Sequence, residues 1–200
     1  MSEKTIQETE ASFGERAAGI LRGWYQAQDE ITREIEYVEG PHADILTDGQ
    51  RAGVVRTQKA ERARQAAEGY REQYRKLTEE RNAALRTRTS ALREMLFKTP
   101  DTDALSRAAL ASDTGLGAML DLAAHADNKD LAHAVFVAAD QRGLGDLLST
   151  YFERIDSDAR PLYEEFKAAP SEEVLERRLA DAETLFAAPE ASHFATVPTF

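Results

Sequence analysis

The chain has 200 residues, a formal net charge of -11 and a sequence pI near 4.9. That is enough chain for one domain or two small ones, and the acidic balance disfavours non-specific attraction to DNA or anionic membranes. Cysteine is absent, which excludes disulfides, thiolate metal sites and cysteine nucleophiles.

The first forty residues carry the strongest pattern. Ile6, Phe13, Ile20 and Ala27 recur every seven residues, and so do Ala17, Trp24, Ile31 and Val38, offset by four. A 4-3 alternation kept over about four heptads is the seam of a long helix packed on another long helix. The pattern predicts a helix from about Glu3 to Val38, with Ser2 as N-cap and acids in the early turns. Gly14, Gly19 and Gly23 weaken it by about 1 kcal/mol each relative to alanine. Gly40 and Pro41 end it, and 39–50 reads as a loop in which Ile45 and Leu46 anchor. No charged leader followed by an apolar stretch opens the chain, and no run is apolar enough to cross a membrane. The expected location is therefore the cytoplasm or the inside of an assembled particle.

The second segment, about Gln50 to Lys98, holds no proline and is rich in helix formers. Ala63, Tyr70, Leu77, Ala84 and Ala91 recur every seven residues, and Tyr74, Leu85, Leu92, Met95 and Leu96 widen the stripe. An unbroken helix here would be roughly 70 Å long, against roughly 50 Å for the first. Its excess length must overhang, kink near Gly53 or pack on something else. Charge is segregated too: residues 1–49 are net -7, 50–98 net +7 and 99–200 net -11. The acidic first helix is the natural counter-charge to the basic second one.

Beyond Thr99-Pro100, taken as N-cap and first helical residue, shorter helices are expected near 100–111, 114–126, 129–142, 144–155, 159–168 and 172–187. Asn128 and Ser171 are good N-caps. The stretch from Leu116 to Phe152 is the most apolar in the chain and should form a core. The tail from Pro189 to Phe200 reads as an extended docking arm. The expected fold is all-α: a long helical hairpin or coiled coil over 1–98, a compact helical domain over 99–188 and a tail over 189–200.

Chemistry is sparse. Asp130-x-x-His133 has metal-ligand spacing once, and Asp121 and His125 share a helix face, but a di-metal carboxylate bundle needs a second half that is missing. Gly115-x-Gly117 and Gly143-x-Gly145 follow no predicted strand and are read as helix boundaries. No catalytic residue, metal or cofactor is assigned. The function expected is non-enzymatic: a structural, assembly or interaction protein, such as a component of a multi-copy virus or phage particle, partnering itself or another protein. Phe13, Ala17, Ile20, Trp24, Ile31, Tyr70, Tyr74, Leu77 and Phe200 are its candidate interface. An alternative is nucleic-acid association through the basic helix 51–93, with Arg62, Arg64, Arg71, Arg75 and Lys76 interleaved with Tyr70 and Tyr74. A helical metal protein or enzyme is a second alternative.

Overall fold

The computed structural model describes residues 4–33, 47–98 and 101–186. The expected Ser2 cap, the seam position Val38, the loop anchors Ile45 and Leu46, the Thr99-Pro100 start and the tail with Phe200 lie outside the described residues. Among the described residues every regular element is an α-helix, as the composition and periodicity predict. There are eight: α1 (Ile6–Arg33), α2 (Asp48–Leu96), α3 (Thr102–Leu110), α4 (Asp113–His125), α5 (Lys129–Arg142), α6 (Gly145–Arg154), α7 (Ala159–Lys167) and α8 (Glu172–Thr184).

These helices form two compact units, one built on Leu85–Ala169 with Ile6, the other on Gln7–Ala84 with α8 and Phe186. The sequence reading divides the chain at 98–99. The contacts instead divide it inside α2 and group α8 with the long helices. The 28-residue α1 and 49-residue α2 differ in length because α2 beyond Ala84 packs in the first unit, where Leu85, Leu92 and Leu96 are buried.

In the first unit α5 is central. Its positions 132 and 134–139 are all buried, four of them alanine, and short side chains let α3, α4 and α6 approach closely. Phe136, 1% exposed, has rings of Phe97, Tyr151, Phe152 and Tyr163 within 6 Å of its own centre. Caps set the boundaries. Asn128 accepts from the Leu131 amide and Ser112 from Gly115. Asp101 accepts from Ala104, so α3 is capped by Asp101 and not by the expected Thr99. Gly143 ends α5 at φ 69°, a left-handed conformation natural to glycine, and its amide returns to Ala139 and Asp140. Arg142 then stitches α5 to the end of α3, donating to the carbonyls of Ala111 at 2.7 Å and Ala109 at 2.8 Å.

In the second unit α1 and α2 run antiparallel. Glu10 meets Arg81, Arg16 meets Glu80 and Trp24 meets Tyr70, so α2 numbers fall as α1 numbers rise. The long contact is a hairpin within one chain. Its α2 stripe follows an eleven-residue period: Ala63, Tyr74, Leu85 and Leu96 form one line, and Tyr70, Arg81 and Leu92 another. Eleven residues make three turns of an undistorted α-helix, whereas a strict seven-residue line drifts about 20° per heptad. That drift carries the predicted Ala84 and Met95 out to solvent and brings Thr78, Arg81 and Asn82 inward.

Candidate functional site

Eight of the nine candidate interface residues lie on α1 and α2 of the second unit, and most pack on one another. Ala17, Trp24 and Leu77 are buried, and Phe13, Ile20, Ile31, Tyr70 and Tyr74 are half-buried. The Phe13 ring meets Tyr74 edge-on at 6.0 Å and carries the Arg81 guanidinium 5.0 Å from its centre. Trp24, 3% exposed, lies between Tyr70 at 6.0 Å and Phe186 at 6.2 Å. Phe186 is fully buried, also contacts Tyr74 at 5.5 Å, and has its carbonyl held by Arg71 Nη2 at 3.0 Å. Trp24 is therefore an anchor of the chain's own fold.

Sequence reasoning missed a polar chain that crosses this unit. Arg81 donates to both carboxylate oxygens of Glu10 and through Nη1 to Asn82 Oδ1 at 2.9 Å. Asn82 passes a bond on to the Leu175 carbonyl of α8 at 3.1 Å. Arg178 of α8 reaches Glu10 at 3.4 Å. Two arginines thus share one carboxylate, and the hydrogen bond from Arg81 holds the Glu10 carboxyl below its ordinary value. The clue in the sequence is the eleven-residue line, which puts an arginine where an aliphatic residue would stand.

The nucleic-acid candidates are largely committed within the chain. Arg75 bonds Glu72 and Glu79, Lys76 pairs with Glu72, and Arg71 holds Phe186. Arg62 has a bonded or charged neighbour of its own, and Arg64 is exposed. The rings of Tyr70 and Tyr74, which would have to stack on bases, are engaged by Trp24, Phe13 and Phe186.

The metal candidates are not brought together. His125 Nδ1 sits 2.7 Å from the Asp121 carbonyl, the Asp121 carboxylate takes Arg154 at 2.5 Å, and His133 Nε2 lies 2.7 Å from the Lys98 carbonyl. Among the described residues no three metal-ligating side chains cluster. Gly115 and Gly143 stand at a helix start and a helix end, as read from the sequence.

One flank of the α1–α2 hairpin is filled by α8. Asn82 of α2 and Glu10 of α1 reach α8 on that side, and Arg71 reaches Phe186, which follows it. The opposite flank is an open groove of about 500 Å³. Ile20, Tyr70 and Leu77 form its floor, and Arg16, Lys76 and Glu80 its rim, with Arg16 and Glu80 paired at 3.1 Å. Gly19 keeps it open: a methyl group there would meet nothing within 4 Å. Four residues on, Gly23 serves the opposite purpose, since a Cβ there would fall 3.0 Å from the Tyr70 ring. Among the described residues no helix is long and apolar enough to cross a membrane. Comparison with family models, curated proteins and solved structures finds no match to this chain.

Proposed function

We propose that the chain is a non-enzymatic interaction protein that self-associates through the open flank of its α1–α2 hairpin. The groove over Ile20, Tyr70 and Leu77 carries the reading, because it is an apolar strip on the one flank of the hairpin that α8 does not fill. Its rim bears both signs of charge, Arg16 and Lys76 against Glu80. A two-fold copy laid on the same strip can match plus to minus, as an isologous interface requires. A two-fold contact closes at the dimer, and that dimer is the unit from which a multi-copy assembly such as a virus or phage particle would be built through other surfaces, in the cytoplasm or inside the particle itself.

The test uses Gly19→Arg. The substitution fills the groove with a charged side chain, while the open space at Gly19 leaves the fold intact. Light scattering behind size exclusion should find wild type as an oligomer whose mass rises with concentration, and the variant as a monomer with unchanged helical content. A wild-type monomer at every concentration, or an oligomer that Gly19→Arg leaves untouched, overturns the reading.

A further inference from the structure

The first unit holds a polar cleft of about 620 Å³ where the end of α2, the start of α5 and the end of α6 meet. Met95 and Ile155 give it apolar walls. Lys98 and Lys129 stand on its rim, both exposed. Neither lysine takes part in an ion pair among the described residues, whereas Arg81, Arg88, Arg142 and Arg154 do. His133 donates from Nε2 to the Lys98 carbonyl at 2.7 Å, since a carbonyl can only accept, and so fixes the Lys98 backbone against α5.

Tyr151 is the telling residue. It is 6% exposed, and its ring packs against Phe136 at 4.9 Å and Phe152 at 5.6 Å. Its hydroxyl nevertheless has no hydrogen-bond partner among the described residues, and it is not sealed from solvent. A hydroxyl that reaches solvent is satisfied by water, and an acceptor on a ligand can take that water's place. Here the residue lines the cleft.

The start of α5 adds its own field. Asn128 caps the Leu131 amide, and the first-turn amides of Lys129 and Asp130 have no acceptor inside the helix. They carry the positive end of the helix dipole to the cleft that both residues line. Two carboxylates share the site. Asp156 accepts the Ala159 amide through Oδ1 at 3.1 Å, and its charge still acts on Tyr151. Asp130 is exposed and has no ion pair among the described residues.

We propose that this cleft binds a compact organic anion, a carboxylate or phosphate, that also bears a hydroxyl or ammonium group. The anionic group sits between Lys98, Lys129 and the α5 amides. Tyr151 donates to it from below, and the ligand's own donor faces Asp130. A bare anion would meet Asp130 and Asp156 unfavourably, so the second group is part of the recognition. Burial, with the nearby Asp156 charge, pushes the Tyr151 phenol up to about 12, so it is a donor at physiological pH. The site is separate from the groove on the hairpin and stands or falls on its own.

Nuclear magnetic resonance of the full chain tests it, following the His133 ring and the Lys129 and Asp130 amides. The probes are glycerol 3-phosphate, serine, inorganic phosphate and neutral glycerol, each up to about 10 mM, a range suited to weak ligands of this size. Saturable shifts confined to the cleft are expected with glycerol 3-phosphate or serine, and whichever binds identifies the anionic group. Inorganic phosphate should bind about tenfold more weakly, and glycerol not at all. Lys129→Ala and Tyr151→Phe should each weaken binding about tenfold. Tyr151→Phe keeps the ring and removes only an unbonded hydroxyl, so its fold and melting temperature should hold. No saturable shift with any probe, shifts spread over the whole surface, or affinities unchanged in both variants would overturn the proposal. Inorganic phosphate binding as tightly as glycerol 3-phosphate would remove the part assigned to Asp130.

Discussion

Arg81 grips Glu10 from two nitrogens at once, its Nε reaching Oε2 at 2.8 Å and its Nη2 reaching Oε1. The arginine side chain is 1% exposed and the glutamate 33%. The two ends of the pair are therefore unequal. Removing Glu10 leaves a buried guanidinium without its counter-charge, whereas removing Arg81 leaves a carboxylate that reaches water and still has Arg178.

Glu10→Ala should accordingly cost about 3–5 kcal/mol, the usual penalty for stranding a buried charge. Arg81→Met should cost far less, and the double variant Glu10→Ala/Arg81→Met should recover most of the loss. Chemical denaturation of the three variants measures this. Equal losses for the two single variants would show that the pair is not the asymmetric one drawn here.

Acid should weaken the fold through two carboxylates. The Arg81 bond lowers Glu10, and in the first unit the Arg88 bond lowers Glu165, whose Oε1 also accepts the Ile6 amide at 2.8 Å. Each holds its proton less tightly in the folded chain than in the unfolded one. Their stabilisation is complete above the unfolded value near 4.3 and is lost as pH falls through the lower folded values. Denaturation midpoints from pH 7 down to pH 3 should fall, with most of the drop below about pH 4. Arg88→Met removes the largest cause of the Glu165 shift and leaves only the Ile6 amide, so its profile should fall less steeply. An identical acid slope in that variant would exclude Glu165 as a contributor.

Gly19 and Gly23 offer a matched pair on one helix. Alanine at either gains up to about 1 kcal/mol of helix propensity. At Gly19 the methyl group meets nothing within 4 Å, and the gain should appear in full. At Gly23 it meets the Tyr70 ring at 3.0 Å, and that ring is backed by Trp24 at 6.0 Å. Gly19→Ala should melt higher than wild type and Gly23→Ala lower than Gly19→Ala. A Gly23→Ala protein as stable as Gly19→Ala would mean that Tyr70 moves aside freely.

The helices were legible because their signals are local. Asn128 and Ser171 cap where their side chains predict, and α5 spans 129–142 as read. The buried face of α2 was harder to read. Alanine, leucine and tyrosine fit a seven-residue line as well as an eleven-residue one over two or three turns. Only the buried Thr78, Arg81 and Asn82 separate the two, and polar residues are discounted when a core is sought. The place of α8 in the second unit was not legible. Leu175 and Phe186 are its buried anchors, and each answers a residue far back in the chain. The cleft near Tyr151 was hidden for a related reason: its residues come from three helices and share no motif.

Phe186 has a consequence for how the chain is made. Its carbonyl is bound by Arg71, 115 residues earlier, and its ring covers Trp24 and Tyr74. At about 5–20 residues per second, a ribosome delivers Phe186 on the order of ten seconds after Arg71. Through that interval Trp24 lacks its cover, while α3 to α6, whose contacts are between near neighbours, have all they need to pack. The nascent hairpin is then the segment most in need of a chaperone. A chain released before α8 is made would leave the ribosome with Trp24 and Tyr74 still uncovered.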